Sequence, residues 1–166
     1  LDILLSKIAQ GDETAFIEFY QSTQKQLYAY ILSLCGNFAD AQDLMQDTYI
    51  KIRSAAHLHE PQGKPLAWVF TIAKNLTYMK FRVESKHPKV AWLEQIDCQA
   101  PSPFNSVEDS LVLKQAIEIL TEQERQIVFL YAISGLKHRE IAASLQLPLS
   151  TVLSKYARSL QKLRKH

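Results

Sequence analysis

The chain carries 166 residues, 47% of them hydrophobic and 22% charged, with a formal net charge of +2. Those figures describe an ordinary globular polypeptide, long enough for one domain or two small ones. They argue against a membrane protein, because the longest apolar run, Leu27 to Cys35, is too short to cross a bilayer and no signal peptide precedes it.

The two cysteines, Cys35 and Cys98, form no C-x-x-C pair. A secreted disulfide scaffold is therefore disfavoured, and a reduced, cytoplasmic setting is expected. The chain opens on Leu1 rather than Met, so a few residues are expected to precede it. Charge is unevenly spread: residues 1–85 hold 8 Lys and Arg against 9 Asp and Glu, whereas residues 121–166 hold 8 against 3. One strongly basic end is the electrostatic signature of a chain that faces phosphates there.

Glycine is scarce and no long alternation of apolar and polar residues supports strands, so the expected fold is all-α. The periodicity predicts helices from about Ile3 to Leu34 with a break near Gly11, then Ala39 to Ala56, then Leu66 to Val83. A turn-rich segment, His57 to Pro65, separates the last two. From Lys86 to Ser106 the prolines Pro88, Pro101 and Pro103 break any long helix and mark a domain boundary. Helical periodicity returns over Val107 to Leu120. Thr121-x-x-Glu124 then reads as a capping box that opens a helix stopping at Gly135. The expected architecture is thus two small helical domains, residues 1–85 and 107–166, joined by a flexible linker over 86–106.

The C-terminal stretch, Leu145 to His166, separates into two faces when placed on a helix. Val152, Leu153, Tyr156, Leu160 and Leu163 share one arc, and Thr151, Lys155, Arg158, Lys162 and Lys165 the opposite one. No Asp or Glu follows Glu140. A short helix over Arg139 to Ala143 and a turn at Gln146-Leu147-Pro148 precede it, which is a helix-turn-helix layout with the basic helix as the DNA reader. A basic amphipathic helix is also compatible with a plain solvated surface. Pro148, suited to a helix start, and the small Ala142 and Ala143, which allow close helix approach, favour the DNA-binding reading.

Leu66 to Val83 divides in the same way. Trp68, Val69, Ile72, Leu76, Met79 and Val83 form the expected buried side, and Thr71, Lys74, Asn75, Tyr78 and Arg82 the exposed one. Cations, an amide and an aromatic on one face suit unpaired bases, which stack and hydrogen-bond. In contrast, Asp40, Asp43 and Asp47 set three carboxylates along one stripe of the preceding helix. DNA would repel that stripe, and a basic protein partner would suit it.

These blocks, in this order, resemble the extracytoplasmic-function (ECF) sigma factors of the sigma-70 type over nearly the whole chain. Gly11-Asp12-Glu13-x-Ala15-Phe16 with Tyr20 is similar to the family's opening helix. Asp40-Ala41-Gln42-Asp43-Leu44-Met45-Gln46-Asp47 resembles its D-A-E-D-L-x-Q-E signature, and Pro65-Leu66-Ala67-Trp68-Val69-Phe70-x-Ile72-Ala73-x-Asn75 its P-x-x-W-L-x-x-I-A-x-N stretch. Leu120-Thr121-x-x-Glu124-Arg125 resembles L-x-x-x-x-R. Glu140-Ile141-Ala142, followed by Pro148 to Lys155, resembles E-I-A and P-x-G-T-V-x-S-R. The departures are Gln42 for an acid, Asp47 for Glu, Ser150 for Gly, Leu153 for a base and Lys155 for Arg. The last removes a bidentate option.

The resemblance implies a subunit that binds core RNA polymerase and directs promoter-specific initiation, without catalysis of its own and without a cofactor. Asp40, Asp43, Gln46 and Asp47 would dock on the clamp coiled coil of the largest polymerase subunit. His57, His59, Gln62, Lys64, Thr71, Lys74, Asn75, Tyr78 and Arg82 would recognise and melt the −10 element, the His57–Lys64 loop gripping a flipped-out base. The linker would thread the polymerase near its active-site and RNA-exit channels. Ser150, Thr151, Ser154, Lys155, Arg158 and Lys162 would read the −35 element, their domain resting on the polymerase flap. A dedicated anti-sigma factor is the expected regulatory partner.

Two other readings remain at this level. A stand-alone helix-turn-helix regulator with an N-terminal sensing or dimerisation domain explains the C-terminus but leaves the Trp68–Asn75 block unexplained. A metal or enzyme site built from His57, His59, His87, Cys35 and Cys98 lacks ligand spacing.

Overall fold

A computed structural model describes residues 1–61, 63–84, 116 and 118–165, and no strand occurs among them. The expected linker, the Val107 to Leu120 helix apart from a few residues, Gln62, His87 and Cys98 lie outside the described residues. Helices α1 (Asp2–Ala9), α2 (Glu13–Cys35), α3 (Phe38–Ala55) and α4 (Pro65–Glu84) build the N-terminal half, with a short 3₁₀ turn over Ala56–Leu58. Helices α5 (Glu122–Ala132), α6 (His138–Leu145) and α7 (Leu149–Leu163) build the C-terminal half. None of the described helices is long and apolar enough to cross a membrane.

The helix ends follow from local chemistry. Asp12 accepts the Ala15 N–H at 3.0 Å to start α2, and Asn37 accepts the Asp40 N–H at 3.0 Å to start α3. Between them Gly36 takes φ 67°, a left-handed conformation that lets α2 stop and the chain reverse. Glu124 reaches back to accept from the Thr121 N–H at 3.0 Å and from its hydroxyl at 2.9 Å, fixing the start of α5. Pro148 stands just before α7, and its carbonyl accepts from Thr151 and Val152.

Helix α2 is the axis of the molecule. Every residue from Leu27 to Cys35 is buried, which one face of a surface helix cannot supply. The run is enclosed because α1, α3 and α4 pack on some sides of α2 and α5 of the C-terminal half packs on another. The resulting core is one continuous cluster in which Phe19, Leu27, Ile31 and Val69 join Ile127, Leu130, Ile141 and Val152. Tyr30 stacks on Phe70 of α4 with ring centroids 4.3 Å apart.

That second layer rotates the buried stripe of α4 away from the expected one. Ala67, Val69, Phe70, Ala73 and Thr77 are buried, whereas Met79 and Val83, expected inside, are 58% and 60% exposed. On α7 the expected core residue Leu153 is 47% exposed and Ser159 is fully buried, its hydroxyl bonded to the Lys155 carbonyl. A polar residue that satisfies itself within its helix can sit at a tight crossing at little cost.

Candidate nucleic-acid interfaces

Three surfaces emerge. The first lies on α3. Asp43, Gln46 and Asp47 are exposed, and with Leu76, Met79 and Val83 of α4 they line a groove of about 570 Å³. Gln46 also borders a larger apolar groove of about 1010 Å³ between α2 and α3, walled by Phe16, Tyr20, Met45, Tyr49 and Ile50. Asp40 stands apart from the stripe. It is half-buried and ion-paired with Lys80 of α4 at 2.5 Å, so its charge is spent inside the fold. The apolar walls are set by residues that the charge pattern did not single out. Ile50, 68% exposed, is the signal that could have marked them.

The second surface is α4 with its preceding loop. Thr71, Lys74, Asn75, Tyr78 and Arg82 are exposed on one side of the helix, as the spacing required. The Lys74 ammonium lies 5.6 Å from the centre of the Tyr78 ring, a cation–π contact that aligns both side chains. The Thr71 hydroxyl donates to the Ala67 carbonyl at 2.8 Å. In the loop His57 and Lys64 are exposed, but His59 points inward. Its Nε2 is 2.7 Å from the Asp2 carboxylate, its side chain is only 4% exposed, and its ring tilts against Trp68 at 5.0 Å. His59 therefore ties the loop to α1 and α4. A cavity of about 410 Å³ beside it is lined by Leu58, Glu60, Lys64, Trp68 and Thr71.

The outer end of that side reaches the C-terminal half. The Tyr78 hydroxyl donates to the Glu122 carboxylate of α5 at 2.8 Å. Partial desolvation, with the adjacent carboxylate, pushes the Tyr78 phenol up to about 12. Tyr30 beneath it is raised further still, first by burial and then by Tyr78 and Glu122.

The third surface is α7. Ser150, Ser154 and Arg158 are exposed, and Thr151, Lys155 and Lys162 are partly covered. The Arg158 Nε donates to the Ser154 carbonyl at 3.3 Å, which lays the guanidinium along the helix. Lys162 differs from its neighbours on the stripe. Its ammonium is 2.7 Å from the Glu124 carboxylate, whose side chain is 7% exposed. Burial by itself would raise the Glu124 carboxyl. The hydrogen bond from Lys162 and those from Thr121 outweigh it and pull the group down to about 2. Lys162 thus pins α7 to α5. Elsewhere in this half Tyr131, His138 and Tyr156 form a three-ring cluster with centroids 4.6–4.8 Å apart.

No group of three or more His, Cys, Asp or Glu side chains among the described residues could hold a metal. Burial pushes the Cys35 thiol up to about 12.

Residues 19–87 match the family model of sigma-70 region 2, and residues 110–163 that of sigma-70 region 4. The chain is 28% identical over 159 residues to the ECF RNA polymerase sigma factor RpoE of Cereibacter sphaeroides, covering 93% of this chain and 87% of that one. It is 26% identical over 175 residues to the ECF RNA polymerase sigma factor SigK of Mycobacterium tuberculosis, covering 99% and 91%. The chain belongs to the ECF group of sigma-70-type sigma factors. Among solved structures, the fold is similar to CnrH in complex with the cytosolic domain of CnrY, with a TM-score of 0.70, 22% identity and coverage of 99% and 94%. It is also similar to RpoE in complex with the anti-sigma factor NepR from Bartonella quintana, with a TM-score of 0.65, 24% identity and coverage of 89% and 95%. This sigma factor binds core RNA polymerase and directs promoter-specific transcription initiation through −10 and −35 recognition. The stand-alone regulator is not favoured, since the region 2 match spans the Trp68–Asn75 block and stands beside the match to region 4.

Proposed function

We propose that the three surfaces divide the work of this sigma factor among themselves. Asp43, Gln46 and Asp47, flanked by the two apolar grooves, dock on core polymerase. Their exposure beside Met79 and Ile50 supports this, because an acidic rim around apolar walls fits a basic, amphipathic protein segment rather than a phosphate backbone. Asp40 contributes by fixing α3 against α4 through Lys80.

His57, Gln62, Lys64, Thr71, Lys74, Asn75, Tyr78 and Arg82 read the −10 element, with the loop cavity as the seat of an unstacked base. His59 acts as the strut of that loop. Ser150, Thr151, Ser154, Lys155 and Arg158 read the −35 element, and Lys162 sets the pose of α7. Residues 1–85 and 107–166 are the two working domains and 86–106 the connecting segment. CnrH with CnrY and RpoE with the anti-sigma factor NepR are each held in complex with a second protein, and an anti-sigma factor is the expected partner here. The chain is a cytoplasmic addressing subunit, and bond-making stays with the polymerase.

The observation that carries this reading is the separation of an acidic, apolar-walled surface on α3 from a cationic, aromatic one on α4. Gel filtration of the purified chain with bacterial core polymerase tests it. A stoichiometric complex that Asp43→Lys abolishes is expected. A complex that survives both Asp43→Lys and Asp47→Lys would refute docking through this stripe.

A further inference from the structure

Every described residue from His57 to Lys64 is exposed except His59, so a single inward side chain anchors the loop that precedes α4. Its backbone N–H closes the preceding turn on the Ala56 carbonyl at 3.1 Å, and its ring shares the wall of the loop cavity with Leu58, Lys64, Trp68 and Thr71. The anchor is held from outside the family match. Residues 19–87 carry the region 2 match, whereas the hydrogen-bond partner of the ring, Asp2, opens α1. Helix α1 packs directly on the Ala56–Leu58 turn.

The two ring nitrogens of His59 are unequally served. A carboxylate can only accept, so Nε2, 2.7 Å from the Asp2 oxygen, is the nitrogen that carries the proton. In the neutral ring Nδ1 is then a lone-pair acceptor, and it is buried with no hydrogen-bond partner among the described residues. A buried acceptor without a partner costs free energy of the same order as one hydrogen bond to a charged group contributes. The tilted contact with Trp68 does not satisfy that nitrogen, and the bond to Asp2 offsets its cost. Without Asp2 the ring gains by turning Nδ1 to water. No other described residue of the loop is turned inward to keep it in place.

We propose that Asp2 is a positioning residue for −10 recognition: by holding the His59 ring inward, it keeps the loop cavity in the shape that receives an unstacked base. The inference rests on the reading of the loop and α4 as the −10 surface. It adds a determinant on α1, a helix that carries none of the assigned DNA-reading residues.

The test uses the full chain assembled with core polymerase and a DNA duplex pool randomised over the −10 and −35 regions, from which bound sequences are recovered and counted. Loss of one hydrogen bond to a charged group shifts the population of a held pose by about tenfold. Asp2→Ala should therefore reduce base preference at one −10 position about tenfold, while preferences at −35 and affinity for core polymerase stay at the parent level. Asp2→Asn, whose amide oxygen still accepts from Nε2, should restore most of that preference. Coupling supplies the readout that a merely structural role would not move. In a His59→Phe background no orphaned nitrogen has to be held, so Asp2→Ala should change the preference no further. An equal tenfold loss in both backgrounds, or a loss spread alike over −10 and −35 positions, would overturn the positioning role. An Asn75→Ala control separates the two failures. If it alters −10 preference and Asp2→Ala does not, the positioning role alone is defeated. If both are silent, the reading of α4 as the −10 surface fails with it.

Discussion

Helices α4 and α7 carry nearly the same pattern, an apolar arc opposed by a polar arc rich in cations, yet they sit in different surroundings. On α7 the pattern reads onto the structure with few departures, Leu153 turned out and Lys162 drawn to Glu124, because α5 and α6 pack on one side and leave Ser154 and Arg158 in solvent. On α4 the neighbours come from two directions. Helices α2 and α3 bury Val69 and Ala73, the C-terminal half approaches from beyond Tyr78, and Met79 and Val83 are turned out toward the groove beside Asp43 and Asp47. Periodicity reports how many faces a helix has. It does not report how many neighbours will claim them.

The sharpest way to break this comparison is at Phe70. It is 2% exposed and stacked on Tyr30 at the place where both halves meet α2. Phe70→Ala should cost about 3–5 kcal/mol in chemical denaturation, and a loss under 1 kcal/mol would mean the halves are not jointly packed there. Truncating Leu153, nearly half exposed on α7, should change stability by less than about 0.5 kcal/mol.

A smaller effect tests the clasp between α5 and α7. Glu124 titrates at about 2 in the folded chain against 4.5 ordinarily, so its stabilisation is fully present above pH 4.5 and is lost as the pH falls toward 2. Lys162→Met should therefore destabilise the C-terminal half by about 2 kcal/mol at pH 7, discounted for the partly exposed ammonium. The difference from the parent should shrink as the pH is lowered through that window. A pH-independent difference would show that Lys162 acts through packing alone.

The smallest effect sharpens the distinction along α7 itself. Each phosphate neutralised contributes a slope of about −0.9 to log K against log salt. For the polymerase-bound chain on a −35 duplex, Arg158→Gln should reduce that slope by about 0.9, and Lys162→Gln, already neutralised by Glu124, should leave it nearly unchanged. Equal changes from the two substitutions would place Lys162 on the DNA.

Much of the architecture was legible because capping and turn chemistry are local. The break near Gly11, Thr121 with Glu124, and Pro148 each mark a boundary, and the observed helices begin and end within a few residues of the expected places. The polar faces of α4 and α7 were legible for the same reason, since spacing alone fixes which residues share a side. What spacing could not give is pairing between distant segments. Asp40 with Lys80, Asp2 with His59, and Glu124 with Lys162 join residues about 40 to 60 positions apart. Each withdraws a charged or ring side chain from a face where the sequence had placed it. One tertiary signal is present in the sequence beyond its use in excluding a bilayer span. The apolar run Leu27 to Cys35 is too short for a bilayer, and its meaning is a helix wrapped by protein on all sides.

The same enclosure gives the molecule a built-in chemical clock. Cys35 is 6% exposed, its thiol donates to the Asn37 carbonyl at 3.2 Å, and burial pushes that thiol up to about 12. Alkylating reagents attack the thiolate, so the folded chain should be inert at this position, and the rate of modification counts the moments when the end of α2 is laid bare. In a Cys98→Ser background that rate reads breathing at the junction of α2, α3 and α5 directly. It also means that peroxide in the cell meets this thiol only in molecules that have already lost their shape.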